Sequence, residues 1–282
     1  MFQIINPMLS NPGKIKSHIV ELIKDSKNRL TPLAVEKQLL YKNPELSKKI
    51  LNHSLKELVA EGDLTYTYEF GTSFLEASFD KPVRVSDHVV IKPERCTFFP
   101  HQDDVVVTLQ KGASFGSGRH PTTRLAIRGM EAVLLKNSAT EKKRNPKALD
   151  VGTGSGILAI ASVLMGMKKA IGLDTDPCAR SEALQNIRAN NLEDKVVIDP
   201  RPFESINETF YLVLANLRFP TLMGMCDHIS KIVKNGGVIV VSGLKDTEID
   251  STKQAYERSA MKMVNRFEEK GWASLVFQKT AE

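Results

Sequence analysis

The stretch Asp150-Val151-Gly152-Thr153-Gly154-Ser155-Gly156 decides the fold, because it joins two segments with different apolar patterns. Residues 147–151 form a short apolar run typical of a buried strand, and residues 156–165 are typical of an apolar helix. Glycines between a strand and a helix let the backbone turn sharply and approach a ligand closely. The sequence therefore predicts a ligand-binding loop here, although this glycine pattern alone would also suit a dinucleotide.

Outward from this loop, strand and helix patterns alternate along residues 113–282. Further strands are predicted at 170–173, 196–198, 211–215 and 238–242, and a helix at 177–190. Such alternation indicates a parallel sheet with helices on both faces. Residues 261–267 and 272–278 flank a turn and predict a closing antiparallel hairpin. The expected fold class is α/β, with a doubly wound, mainly parallel sheet that ends in this hairpin.

The first 80 residues follow a different pattern. Asn11-Pro12, Thr31-Pro32 and Asn43-Pro44 each resemble a helix start with proline in the first turn. After Gly62 the apolar period changes to two, which predicts a strand over residues 64–70. A second strand at residues 74–79 would run back beside it and form a hairpin. Three helices followed by a hairpin indicate a winged helix.

The chain is therefore divided into three parts. Residues 1–80 are predicted to be a small winged-helix-like recognition domain, and residues 81–112 a connector with short strands. Residues 113–282 are predicted to be the α/β domain that carries the chemistry. No apolar run reaches about 18 residues and the first residues do not resemble a secretory signal, so a soluble cytoplasmic protein without a membrane span is expected.

The charge distribution gives only weak support to a nucleic-acid partner. The net charge is +6, but residues 1–80 carry ten basic and ten acidic side chains. The excess therefore lies in residues 81–282, where the basic residues include Arg119, Arg124, Arg128, Lys136, Lys142, Lys143, Arg144 and Lys147. For the lysine-rich part, a solvated loop is favoured over a phosphate site. The three cysteines are far apart and have no metal-ligand spacing, so no metal site is predicted.

Three polar residues lie at predicted strand ends. Asp150 directly precedes the glycines, where it would hold loop amides or receive an ammonium group, and where it would repel a pyrophosphate. Asp174 ends the next strand, 22 residues after Gly152, and an acidic side chain there binds ribose hydroxyls, also in NAD enzymes. Asn216 ends the strand at 211–215, where it either orients an incoming amine or caps the next helix; the pattern leaves both open.

The segment Phe115-Gly116-Ser117-Gly118-Arg119-His120-Pro121-Thr122-Thr123 closely resembles the F-G-T-G-x-H-P-T-T segment of the PrmA family. Enzymes of this family methylate amino groups of a bacterial ribosomal protein at the stalk base of the large subunit. The similarity continues through residues 150–156, 172–177, 215–216, 242–244 and 271–276, in order and register. It covers roughly residues 82–282.

This resemblance implies a class I methyltransferase fold and S-adenosylmethionine as the cofactor. It implies that residues 115–123 fold over the methionine end of the cofactor, with His120 shaping this loop. The cofactor-binding residues implied are Phe115, Thr122, Thr123, Asp150, Gly152, Gly154, Gly156, Asp174 and Asn216. Asn216 is also the catalytic candidate. Phe219 is the substrate-binding candidate, because the run 216–219 departs from the family and places an aromatic side chain at the acceptor site.

Two departures from the family concern the acceptor. The first 80 residues resemble a winged helix, whereas the family has an α+β substrate-binding module. Asn216-Leu217-Arg218-Phe219 also replaces the usual N-I-L-A-like run. The expected function is N-methylation of a protein amine, with a ribosomal protein as one candidate. The first alternative is methylation of nucleic-acid bases guided by the winged helix, since N-L-R-F loosely resembles N-P-P-Y/F. The second is a regulator that binds the cofactor without turnover.

Overall fold

The computed structural model describes residues 12–26, 28–69, 71–135 and 146–280. It separates into two compact units, Met1–Lys81 and Pro82–Glu282. The predicted helix cap at Asn11 and the basic residues at 136 and 142–144 lie outside the described residues. Within the described ranges, no helix is long and apolar enough to cross a membrane.

In the residues described for the first unit, three helices are followed by a hairpin, as predicted. The helices are α1 (Pro12–Asp25), α2 (Pro32–Lys42) and α3 (Lys48–Ala60), and the hairpin strands are β1 (Leu64–Glu69) and β2 (Thr72–Ala77). Leu30, between α1 and α2, adds an antiparallel bridge to Leu75 of β2. The apolar faces of these elements enclose a core of their own: Ile15, Ile19, Ile23, Leu30, Val35, Leu39, Leu46, Leu51, Leu55, Leu58, Leu64 and Leu75.

The helix starts of this unit are partly as predicted. Thr31 caps α2, and its hydroxyl accepts a hydrogen bond from the Ala34 amide. The expected start at Asn43-Pro44 is wrong, because Asn43 closes α2 and its side-chain amide donates to the Leu39 carbonyl at 3.2 Å. Helix α3 begins four residues after Pro44, at Lys48, with Ser47 at its N-cap.

The second unit is built on a seven-stranded sheet. Its strands are β6 (Lys147–Val151), β7 (Lys169–Leu173), β8 (Val196–Asp199), β9 (Phe210–Asn216), β10 (Val233–Lys245), β11 (Met261–Glu269) and β12 (Trp272–Lys279). The spatial order is β11-β12-β10-β9-β6-β7-β8. Strands β6 to β10 are parallel, and β12 is antiparallel to both β10 and β11. The predicted doubly wound sheet with a closing antiparallel hairpin is confirmed.

Within the described part of this unit, five helices pack against the sheet. They are α4 (Pro121–Leu134), α5 (Ile157–Leu164), α6 (Pro177–Ala189), α7 (Phe219–Ile232) and α8 (Ile249–Arg258). From β6 the chain adds β7 and β8 on one side, and β9 and β10 then continue on the other side. The carboxyl ends of β6 and β9 therefore flank the point where the winding direction reverses, which is where open α/β sheets bind their ligands.

Residues 81–112 contain short strands, as the sequence predicts. They form a three-stranded sheet of β3 (Val83–Arg84), β4 (Val89–Pro93) and β5 (Val105–Leu109) within the second unit. Asn190, at the C-cap of α6, pairs with both backbone polar groups of Thr108: its side-chain oxygen accepts from the amide at 2.9 Å and its nitrogen donates to the carbonyl at 2.7 Å. This segment is thereby fixed to α6.

Candidate functional site

The glycine loop turns from β6 into α5 through left-handed backbone conformations. Gly152, Gly154 and Gly156 have φ angles of 69°, 54° and 81°. A Cβ atom on Gly154 would lie 2.4 Å from the Phe115 carbonyl oxygen, and one on Gly152 would lie 2.6 Å from the Leu217 side chain. Packing therefore excludes a side chain at Gly154, where the obstacle is backbone, and at Gly152 the positive φ angle disfavours one.

Asp150 holds this loop from inside. Its side chain is buried, and Oδ2 accepts hydrogen bonds from the Thr153 hydroxyl at 2.6 Å and from the Ala159 amide at 3.1 Å. Burial raises the pKa of the carboxyl to about 6; the two hydrogen bonds oppose this shift and the charge of Asp174 adds to it. Of the two roles that the sequence left open for Asp150, these contacts support the one that holds the loop.

The raised pKa of Asp150 predicts a pH effect on stability. Between its ordinary value of 3.8 and about 6, the folded state binds more protons than the unfolded state, so this contribution to stability decreases as the pH rises. The ionised carboxyl is destabilising above about pH 6, and protonation relieves this penalty. Lowering the pH from 7 to 4 should therefore stabilise the wild type by about 2 kcal/mol relative to Asp150→Asn, measured by urea unfolding. Parallel pH profiles of the two proteins would contradict the assignment.

Asp174 lies at the open side of the same loop, directly after β7. Its Oδ2 accepts from the Gly154 amide at 2.9 Å and its Oδ1 accepts from the Asp176 amide at 3.0 Å. The carboxylate is half-buried and each oxygen keeps capacity for a further hydrogen bond. Asp176 caps α6 by accepting from the Cys178 amide at 2.8 Å. The two aspartates therefore have separate tasks.

The expectation of a loop over the whole of residues 115–123 needs correction. Helix α4 begins at Pro121, so Thr122 and Thr123 belong to its first turn. The reason is a cap: the His120 ring nitrogen accepts from the Thr122 amide, and Pro121 has a backbone angle suited to the first helical position. The carbonyl of Thr122 accepts from the buried Ser242 hydroxyl at 2.8 Å, which fixes this turn to β10.

Asn216 is the last residue of β9 and does not cap the next helix. The N-cap of α7 is Arg218. The side-chain nitrogen of Asn216 donates to the hydroxyl of Thr123 at 3.4 Å, across 93 residues of sequence. The structure thus brings together two of the predicted site residues at the carboxyl edge of the sheet. Phe219, the first residue of α7, is half-buried and packs against the large core.

A row of three rings lies beside the α4 cap. Phe115, which is 53% exposed, has its ring centroid 5.3 Å from that of His120. On the other side, His120 makes an edge contact with Trp272 at 4.7 Å. The Nδ1 atom of His120 lies 2.8 Å from the Thr122 hydroxyl. These contacts support the loop-shaping role of His120.

Arg124 is a positioning residue that no sequence pattern indicates. Its guanidinium pairs with Glu269 at the end of β11 and donates to the Gly118 carbonyl at 3.1 Å. Arg128 also pairs with Glu269, at 3.2 Å. Two arginines that contributed to the basic excess are therefore paired with a carboxylate, which weakens the case for a phosphate-binding patch at this place.

Helix α6 supplies two further residues that position the loop. Glu182 accepts from the Ser114 amide at 2.9 Å. The fully buried Asn186 accepts from the Gln110 amide at 2.8 Å and donates to the Ser155 carbonyl at 2.8 Å. Their spacing of four residues places both on one helical face, but nothing in the local sequence reveals which backbone they would bind.

The sheet order, with β12 inserted antiparallel between β10 and β11, and a glycine loop after the first strand define a class I methyltransferase fold. A crystal structure of ribosomal protein L11 methylase from Lactobacillus delbrueckii subsp. bulgaricus has this fold. It matches with a TM-score of 0.63 and 24% identity, over 71% of this chain and all of that chain.

Within this class, the family model described as ribosomal protein L11 methyltransferase (PrmA) matches residues 74–280, and the chain belongs to that family. The relative from Geobacter sulfurreducens is 36% identical over 197 residues, which cover 70% of this chain. The one from Pelobacter propionicus is 31% identical over 217 residues, covering 77% of this chain and 69% of the relative. The chain spans 62% of the length of the Geobacter sulfurreducens relative and 64% of the length of the one from Citrifermentans bemidjiense.

The charges of the site fit the cofactor that this family implies. Asp150 and Asp174 lie close enough for one to raise the pKa of the other, so the loop disfavours a pyrophosphate and favours a ligand with positive charge. S-adenosylmethionine carries a sulfonium and an ammonium, and its ribose presents two hydroxyls that a carboxylate such as that of Asp174 binds. In the part of the chain that the structure describes, no cluster of side chains suitable for a metal ion is found.

Proposed function

We propose that this chain is an S-adenosylmethionine-dependent N-methyltransferase whose acceptor is a protein amine. One observation carries the proposal: the amide of Asn216 meets the Thr123 hydroxyl at the sheet edge where Asp174 holds the glycine loop. The named relatives are ribosomal protein L11 methyltransferases. A ribosomal protein is therefore the first acceptor to test, and such an acceptor would place the reaction in the cytoplasm.

The cofactor contacts are part of this proposal. Asp174 would accept from the ribose hydroxyls, and the backbone of the glycine loop would lie against the cofactor, with Asp150 holding that loop in place. The full set proposed is Phe115, Thr122, Thr123, Asp150, Gly152, Gly154, Gly156, Asp174 and Asn216. When bound, S-adenosylmethionine supplies an electrophilic methyl group. The protein therefore has mainly to position and desolvate the acceptor.

The side chains of the site would prepare the acceptor amine for the transfer. A lysine must lose a proton before it reacts, and at pH 7 this costs roughly 4–5 kcal/mol from its reference pKa of about 10.4. Burial and a nearby positive charge reduce this cost by lowering the pKa. The Asn216 oxygen would accept a hydrogen from the neutral amine and direct its lone pair. Phe219 would pack beside the acceptor chain, and water would take the released proton.

The acceptor itself follows less directly from the family, because the family match begins at residue 74. Residues 1–80 are proposed to be a winged-helix-like recognition domain, which differs from the family's usual module. Two observations count against a nucleic-acid acceptor: Arg124 and Arg128 pair with Glu269, and Lys48 of α3 pairs with Glu36 at 2.8 Å. A regulator without turnover would not need Asn216 at this place.

The test uses cofactor with a labelled methyl group, incubated with the full chain and a bacterial extract. We expect label in a product that protease destroys and nuclease does not. Asn216→Ala should lower kcat by about two orders of magnitude while it changes cofactor affinity only a few-fold, because it removes the group that orients the amine. A nuclease-sensitive product would favour a nucleic-acid acceptor instead, and binding without any labelled product would favour the regulator.

A further inference from the structure

The row of rings beside the site ends in a contact between an ammonium group and an aromatic face. The Nζ atom of Lys245 lies 3.4 Å from the centroid of the Trp272 ring. The two residues are paired across β10 and β12, so the register of the sheet brings them together. Within the described residues, the Lys245 side chain forms no ion pair with a carboxylate. The Lys245 ammonium is therefore held on the face of Trp272 without help from a carboxylate.

This contact lies at the same end of the sheet as Asn216. Ser242 of β10 pairs with Asn216 of β9, and Lys245 follows three residues later in β10. At about 3.3 Å per residue, Lys245 lies roughly 10 Å beyond Ser242 along β10, and Trp272 lies beside it on β12, on the opposite side of β10 from Asn216. His120 joins the two places, because it contacts the Trp272 ring and caps the helix turn that holds Thr123.

The chemistry of this face suits an alkylammonium group. The faces of aromatic rings are electron-rich and attract cations, and the indole ring of tryptophan does so most strongly. Lys245 is exposed and its ammonium is attached to a flexible chain, so it is free to leave the ring. Trp272 is half-buried, which keeps its ring in place. A cation from outside would therefore meet a fixed binding face with a displaceable occupant.

We propose that the Trp272 face is an acceptor-side subsite for an alkylammonium group, and that Lys245 is an internal cation that competes for it. The identity of the ligand rests on the proposed function, since a protein amine arrives as an ammonium and leaves as a methylated one. Trp272 and Lys245 are here specificity-determining residues that do not touch the reacting atoms. The incoming side chain displaces Lys245 before it reaches Asn216.

Trp272 is the only tryptophan in the chain, so tryptophan fluorescence, excited selectively over the tyrosines, reports on this residue alone. We would titrate the full chain, without cofactor, with tetramethylammonium chloride, using sodium chloride at equal ionic strength as the reference. Lys245→Met should shift the emission of Trp272. In this variant the fluorescence change should saturate at a tetramethylammonium concentration about fivefold below that of the wild type, because the competing ammonium is gone. Lys262→Met, an exposed lysine at the far end of β11, is the matched control and should behave as the wild type.

The second readout is kinetic and uses a lysine-containing acceptor. Trp272→Leu should raise KM for the acceptor about tenfold and leave cofactor affinity unchanged. Trp272→Phe keeps an aromatic face and should raise KM less. Lys245→Met should lower KM for the acceptor. A KM that is the same in Trp272→Leu and wild type would overturn the subsite, as would the absence of saturable quenching in both wild type and Lys245→Met. The titration needs no turnover and no altered Trp272, so it separates failure of this subsite from failure of the proposed activity or of folding.

Discussion

Replacing Asp174 with alanine is expected to weaken the binding of S-adenosylmethionine by at least about a hundredfold without unfolding the protein. The change removes the acceptor proposed for the ribose hydroxyls, and it also frees the amides of Gly154 and Asp176 that the carboxylate holds. Hydrogen bonds to a charged group contribute about 1.5–3 kcal/mol each, and two of them account for an effect of this size. Isothermal titration calorimetry measures the affinity.

Asp176 provides the matched control for this experiment. It is a carboxylate two residues away, but its hydrogen bond goes to the first turn of α6. Asp176→Ala should cost about 1 kcal/mol of stability, the usual value for a lost N-cap, and should leave cofactor affinity nearly unchanged. Unchanged affinity in Asp174→Ala would refute the assigned pocket, provided that circular dichroism shows both variants folded.

Deleting residues 1–80 is expected to abolish methylation of the true acceptor and to leave cofactor binding intact. The first unit has its own buried core, and the second is built around a separate core that includes Leu149, Val213 and Ile239. The family match begins at residue 74, so nearly all of the proposed recognition domain lies outside it. Calorimetry with the cofactor and transfer of labelled methyl groups to the acceptor measure the two properties.

A control reaction is needed to show that the truncated chain can still transfer a methyl group. Lysine amide at high concentration requires no recognition domain, so its slow methylation should proceed at similar rates in the full and truncated chains. Full activity of the truncated chain on the true acceptor would show that residues 1–80 do not select it. Loss of both cofactor binding and background methylation would show that the second unit depends on the first.

The parts of the site that could be predicted from sequence are those whose signals are local. A glycine loop between a strand and a helix, and polar residues directly after buried strands, place Gly154, Asp174 and Asn216 at one sheet edge by the geometry of parallel strands alone. The closing hairpin was also predictable, because a turn between two strand-like runs leaves few alternatives.

The rest could not be predicted because it depends on contacts between distant residues. Arg124 and Glu269 are 145 residues apart, and no local pattern marks them as partners. The start of α4 at Pro121 lies inside the segment 115–123 that the family resemblance predicts to be one loop, and the cap by His120 that begins the helix has no marked pattern in the sequence. The start of α3 was misplaced because Asn-Pro also suits the end of a helix, and Asn43 serves that purpose here.

The pairing of Arg124 with Glu269 has a consequence for how the protein is made. During synthesis the glycine loop, β6 and most of the sheet leave the ribosome well before the hairpin that carries Glu269. Until that hairpin emerges, the ion pair between Arg124 and Glu269 cannot form, and the contact of Arg124 with the Gly118 carbonyl lacks its support. Because β12 inserts between β10 and β11, the nascent chain should complete its sheet and anchor the Gly118 segment in the same late step.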